Sequence, residues 1–121
     1  MQIYRLILAL FTTLSMWTTV KPQAFTELYF ADSANLPQVI KANQKYNFSF
    51  TIHNLEQKTI RYTYEVLSGN TVLDQKSVNL QNGENKIIPE NIGPFKKTRT
   101  EIIVEIINPI NTNQSISFWM N

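Results

Sequence analysis

At 121 residues the chain has room for one domain and a short appendage. It contains no cysteine, which excludes disulfides, thiolate nucleophiles, Cys-type zinc clusters and lipid attachment through an N-terminal cysteine. A formal charge of +2 is too small for the extended basic face that nucleic-acid binding requires, so nucleic acid is not among the expected partners.

Residues 1–20, MQIYRLILALFTTLSMWTTV, differ in character from all that follows. Arg5 precedes an uncharged run from Leu6 to Val20, closed by Lys21-Pro22. Taken as a helix from Ile3, the run spans about 27 Å, close to a hydrocarbon core of about 30 Å. From Leu6 it reaches only about 22 Å, the length of a signal-peptide apolar region. A cut after Ala24 would place Pro22 where a small residue is needed. The order of preference is therefore an uncleaved signal anchor, then a cleaved signal peptide, then a buried globular helix. The first two leave Arg5 cytoplasmic and carry the following domain outside. Residues 1–24 are expected to form this anchor and a short hinge, and residues 25–121 the folded domain.

After the hinge, FTELYFA (25–31) mixes its parities, as in a strand covered on both faces. Tyr46, Phe48, Phe50 and Ile52 share one face, while Asn47, Ser49, Thr51 and His53 share the other. This period of two, in aromatic and β-branched residues, marks a half-buried strand. Ile60, Tyr62, Tyr64 and Val66 repeat the pattern. Ser68-Gly69-Asn70 turns the chain into a more polar strand over 71–80, and Asn82-Gly83 marks the next turn. The run 85–90 carries Pro89, which suits an edge strand. Past a corner at Gly93-Pro94-Phe95, residues 96–108 form the longest strand candidate, with Ile102, Val104 and Ile106 aligned. Asn111-Thr112-Asn113 turns back into 114–120, which aligns Ile116, Phe118 and Met120. Seven short, evenly spaced strands predict an all-β, seven-stranded antiparallel immunoglobulin-like β-sandwich behind one N-terminal hydrophobic helix. Phe48, Phe50, Tyr62, Tyr64, Val104, Ile106 and Phe118 are its expected core.

Candidate chemistry is sparse. His53 is the sole histidine. Its parity turns it away from the aromatic row toward a turn, where Glu56 is the local partner in reach. One histidine cannot supply a multi-histidine metal site, and no nucleophile or acid is placed to converge on it. Glu101 and Glu105 stand four positions apart on one strand face, roughly 13 Å, too far for a glycosidase pair. A hydrolase would have to draw on these or on Glu65. Lys96, Lys97 and Arg99 form a basic cluster beside Phe95, a candidate contact for a partner or for anionic lipid. No catalytic residue, cofactor or metal ligand set is expected.

FTELYF behind a hydrophobic segment, then Leu36-Pro37, YNFSFTIHNLE, RYTYEV and VNLQNGENK, resembles the extracytoplasmic part of a prokaryotic membrane-protein family catalogued as domain of unknown function 1616. The resemblance covers residues 25–90. It implies a membrane-embedded N-terminal part followed by an extracytoplasmic immunoglobulin-like domain with an Asn-His-Glu-like turn. Here the turn reads His53-Asn54-Leu55-Glu56. The resemblance names no activity. Together these readings predict a non-catalytic interaction or structural module at the cell envelope, bound to the membrane through residues 3–20 and to another envelope protein. The alternative is an accessory subunit of an envelope enzyme or transporter.

Overall fold

The computed structural model describes residues 23–109 and 114–121. The expected helix over 3–20, the Lys21-Pro22 stop and the Asn111-Thr112-Asn113 turn lie outside the described residues. No helix among the described residues is long and apolar enough to cross a membrane.

Among the described residues seven strands follow in order: β1 (Phe25–Phe30), β2 (Tyr46–Leu55), β3 (Ile60–Ser68), β4 (Thr71–Leu80), β5 (Asn85–Ile92), β6 (Thr100–Asn108) and β7 (Gln114–Met120). They form two antiparallel sheets, β1-β2-β5 and β4-β3-β6-β7. In constant-type immunoglobulin domains the fourth strand joins the sheet of the first two. Here β4 pairs with β3, because only Gly69-Asn70 separate Ser68 from Thr71, and those two residues are partners in register. Gly69 takes φ +60° at the first central position, which a tight two-residue hairpin requires. Such a hairpin keeps both strands in one sheet.

The inward faces carry the expected alternation. Phe50, Tyr62, Val66, Ile102 and Val104 are fully buried, with Phe48, Tyr64 and Ile106 nearly so. Phe118 is the exception, half-buried, with Phe30 edge-on to it at 5.4 Å and Phe48 at 5.3 Å. Boundaries shift in five places: β1 ends at Phe30 and leaves Ala31 out, and β3 takes in Ser68 from the expected turn. β2 continues through Leu55, β5 continues through Ile92, and β6 begins at Thr100 instead of residue 96. The last correction has a pairing cause. Thr100 faces Met120, the final residue of β7, so residues 96–99 have no strand to pair with.

Register also fixes the ends. Phe25 faces Leu55, so the chain enters β1 beside the 56–59 and 81–84 turns, the proximal end. The loops 31–45, 69–70 and 93–99 gather at the opposite, distal end.

Candidate functional site

At the proximal end His53 lies within β2, opposite Glu27 of β1. Its Nδ1 is 2.8 Å from Glu27 Oε1, and its Nε2 is 3.2 Å from the Gly83 carbonyl. Glu27, not Glu56, is its partner. Glu56 instead accepts a hydrogen bond from Thr26 Oγ1 at 2.6 Å, and Thr26 is bonded in turn to the Tyr62 hydroxyl at 2.8 Å. Both imidazole nitrogens lie against groups of this chain, the Glu27 carboxylate and the Gly83 carbonyl. Since the His53–Glu27 pair is partly exposed, His53→Ala is expected to cost no more than about 1 kcal/mol. Urea denaturation of the two proteins checks this; a cost several times larger would make the pair a keystone of the end.

The keystone is its neighbour. Asn54 is fully buried. Its Nδ2 donates to the Lys58 and Leu80 carbonyls, each at 2.8 Å, and its Oδ1 accepts from the Glu56 amide at 2.8 Å. Its backbone N–H donates to the Glu84 carbonyl, and its own carbonyl accepts from Gly83. One side chain thus ties β2, the 56–59 turn and the end of β4 together. Thr26 and Glu27, His53 to Glu56, Tyr62, and Leu80 to Glu84 meet at this end. Their bonds run to one another and join turns.

A second polar group lies inside the sandwich. Glu90 sits on the inner face of β5 between Ile88 and Ile92, 7% exposed. Asp74, on the inner face of β4, hydrogen-bonds to it, and Lys76 Nζ stands 3.7 Å from Asp74 Oδ2. Burial, then the bond to Asp74 and its charge, push the Glu90 carboxyl up to about 7, with Lys76 opposing. Burial, then the charges of Glu90 and Asp74, raise the nearby Tyr64 phenol to about 12. The folded Glu90 holds its proton to about pH 7, whereas the unfolded carboxyl releases it near 4.5. Its contribution to stability is therefore complete below the lower value and disappears as pH rises through the upper one, on the order of 2 kcal/mol. Glu90→Gln should flatten that slope between acid and neutral pH in chemical denaturation; an unchanged slope assigns it elsewhere.

Glu65, Glu101 and Glu105 share the outer side of the β4-β3-β6-β7 sheet. Glu65 and Glu105 face each other in register on the outer side of the sheet, half-buried. Glu101 accepts a hydrogen bond from Ser117 Oγ at 2.7 Å. Among the described residues no group of three or more His, Cys, Asp or Glu side chains is placed to hold a metal ion.

The expected basic cluster splits at the distal end. Arg99 turns to β7, its guanidinium 4.1 Å from the Trp119 ring centre and its Nε donating to Asn121 Oδ1 at 3.0 Å. Lys96 and Lys97 stay exposed and line a groove of about 530 Å³ with Ile40, Pro94, Phe95 and Thr98. Phe95 forms its floor, stacked on Tyr46 with ring centres 6.1 Å apart and planes 10° from parallel. The Tyr46 hydroxyl accepts from the Lys41 amide at 2.6 Å and donates to the Lys41 carbonyl at 3.2 Å, which locks the loop onto the ring. Gly93 makes the corner at φ +95°, and a Cβ there would meet the Gln44 carbonyl at 3.1 Å. Sequence pattern located the lysines but not Ile40, which the 31–45 loop brings across the top.

No family model matches the chain, and no curated protein matches it. Among solved structures it is similar to the CARDB domain of the PF1109 protein from Pyrococcus furiosus, seen in complex with di-metal ions. That match has a TM-score of 0.67 and 16% identity, over 85% of this chain and 96% of that one. The solution structure of the same domain gives 0.67 at 15% identity, over 84% and 96%. A β-glucosidase from Listeria innocua in complex with glucose matches at 0.56 and 12% identity, over 85% of this chain but 17% of the enzyme. At such identities the likeness is one of fold, and the described residues form an immunoglobulin-like β-sandwich.

Proposed function

We propose that the chain is a non-catalytic interaction module of the prokaryotic cell envelope, tethered through residues 3–20 or exported if that segment is cleaved. The observation that carries this reading is the division of labour between the two ends. The proximal end spends its histidine, acids and hydroxyls on bonds among its own turns, whereas the distal end leaves lysines and an apolar groove open. The groove is also turned away from Phe25, where the chain arrives from residues 3–20. A ten-residue strand such as β2 is about 33 Å long, and residues 21–24 reach at most about 14 Å. With the strands upright on a membrane, Lys96 and Lys97 face a partner and not the headgroups around the anchor.

A second reading, an accessory subunit of an envelope enzyme or transporter, draws support from the Listeria β-glucosidase, where the matching fold is a small part of a large chain. A C-terminal reporter that matures only outside the cytoplasm tests the placement. The full chain should give an active reporter, and a chain starting at Gln23 an inactive one. An inactive reporter on the full chain removes the envelope from the reading.

A further inference from the structure

Lys41, Lys45, Lys96, Lys97 and Arg99 all lie on the loops of the distal end, whose loops contribute Asp32 as their acid. The Asp32 carboxylate is held by Asn35 Nδ2, at 3.1 and 3.0 Å. The proximal turns carry the opposite balance, Glu56 and Glu84 against Lys58. Among the described residues none of the four distal lysines joins an ion pair, and all four are exposed. An excess of like charge on one end of a domain favours an anionic partner, which it also steers into place. Of these cations Lys96 and Lys97 line the groove, whose apolar floor is Ile40, Pro94 and Phe95, the last fixed by stacking on Tyr46. A simple phosphate would use the lysines and leave that floor in water.

We infer that the distal groove binds an acidic segment of another protein, one that places a bulky apolar side chain between carboxylates. The apolar side chain seats on Phe95 and Ile40, and the flanking carboxylates meet Lys96 and Lys97. Because the floor is ordered before binding, little conformational freedom is lost there on association. This inference rests on the reading of the chain as an interaction module and supplies the chemistry of its partner.

The test uses the full chain in neutral detergent and a fluorescent peptide with one phenylalanine centred among aspartates and glutamates. Anisotropy titration should show binding that weakens about tenfold in K96E/K97E and is unchanged in K58E at the proximal end. Replacing the peptide's phenylalanine by alanine, or raising salt from about 50 to about 300 mM, should each weaken binding several-fold. Both lysines are exposed, so the variant should keep its circular dichroism and Tm; if it does not, K96Q/K97Q replaces it. Equal binding of a peptide with asparagine and glutamine for its acids overturns the inference, as does indifference to K96E/K97E. So does capture by phosphatidylserine vesicles without peptide binding, or self-association that K96E/K97E abolishes; these assign the groove to a lipid surface or to a second copy. A silent groove with an active external reporter sinks this inference alone. Peptide binding with an inactive reporter sinks the envelope placement alone.

Discussion

Phe50→Ala is expected to cost about 3–5 kcal/mol, a large share of the roughly 5–15 kcal/mol that holds a domain of this size. Phe50 is fully buried at the centre of β2. Its ring meets Tyr64 of the opposite sheet edge-on at 5.1 Å and lies 6.5 Å from Phe48 on its own strand. The contact with Tyr64 spans the two sheets, so truncation opens a cavity that neither can close alone. Phe118→Ala is the internal comparison: half-buried on edge strand β7, it should lose about half as much. Urea denaturation with a common slope measures both. A Phe50 loss under about 1 kcal/mol would mean that the inner faces do not close on one another.

Asn54→Leu is expected to cost about 2–4 kcal/mol although the new side chain is apolar and similar in size. The substitution strips partners from two carbonyls and one amide, at Lys58, Leu80 and Glu56. The Leu80 carbonyl bond is buried, so its loss is not repaired by water, while the other two lie nearer the surface and recover part of theirs. Amide exchange is the sharper measurement, because the damage is local. Protection should fall over 54–58 and 81–84 before it falls at the centre of β3. Unchanged exchange there would show that the backbone bonds between Asn54, Gly83 and Glu84 hold the turns without the side chain.

The strands were legible because one covered face imposes period two, and the row from Tyr46 to Ile52 shows it without interruption. The same row, continued one step, lands on Asn54, and the row Ile88, Ile92 encloses Glu90. Parity alone therefore placed a polar group inward at each point, but polar residues near a turn read as surface. What distinguishes them is the partner, and the partners come from other strands: Leu80 for Asn54 and Asp74 for Glu90. Strand ends were less legible for a similar reason. Nothing local in Lys96-Lys97-Thr98-Arg99 forbids a strand; β6 starts later because β7 has ended. The groove depends on Ile40 reaching Phe95, a meeting of segments more than fifty residues apart. Sequence showed the charge of that end and not its concavity.

Among the described residues, both sheets finish along one flank in edge strands, β4 and β5, each with one side that pairs with no described strand. Such edges recruit further strands, and molecules held side by side would meet there at high local concentration. Asp74 points inward from one of them with Lys76 beside it at the rim, Glu90 points inward from the other, and Pro89 removes a donor beside it. A strand added from a neighbour would have to bring its own side chains over those charges. Smoothing this flank with valines would strengthen each strand on its own and turn a discrete domain into a seed for stacked sheets.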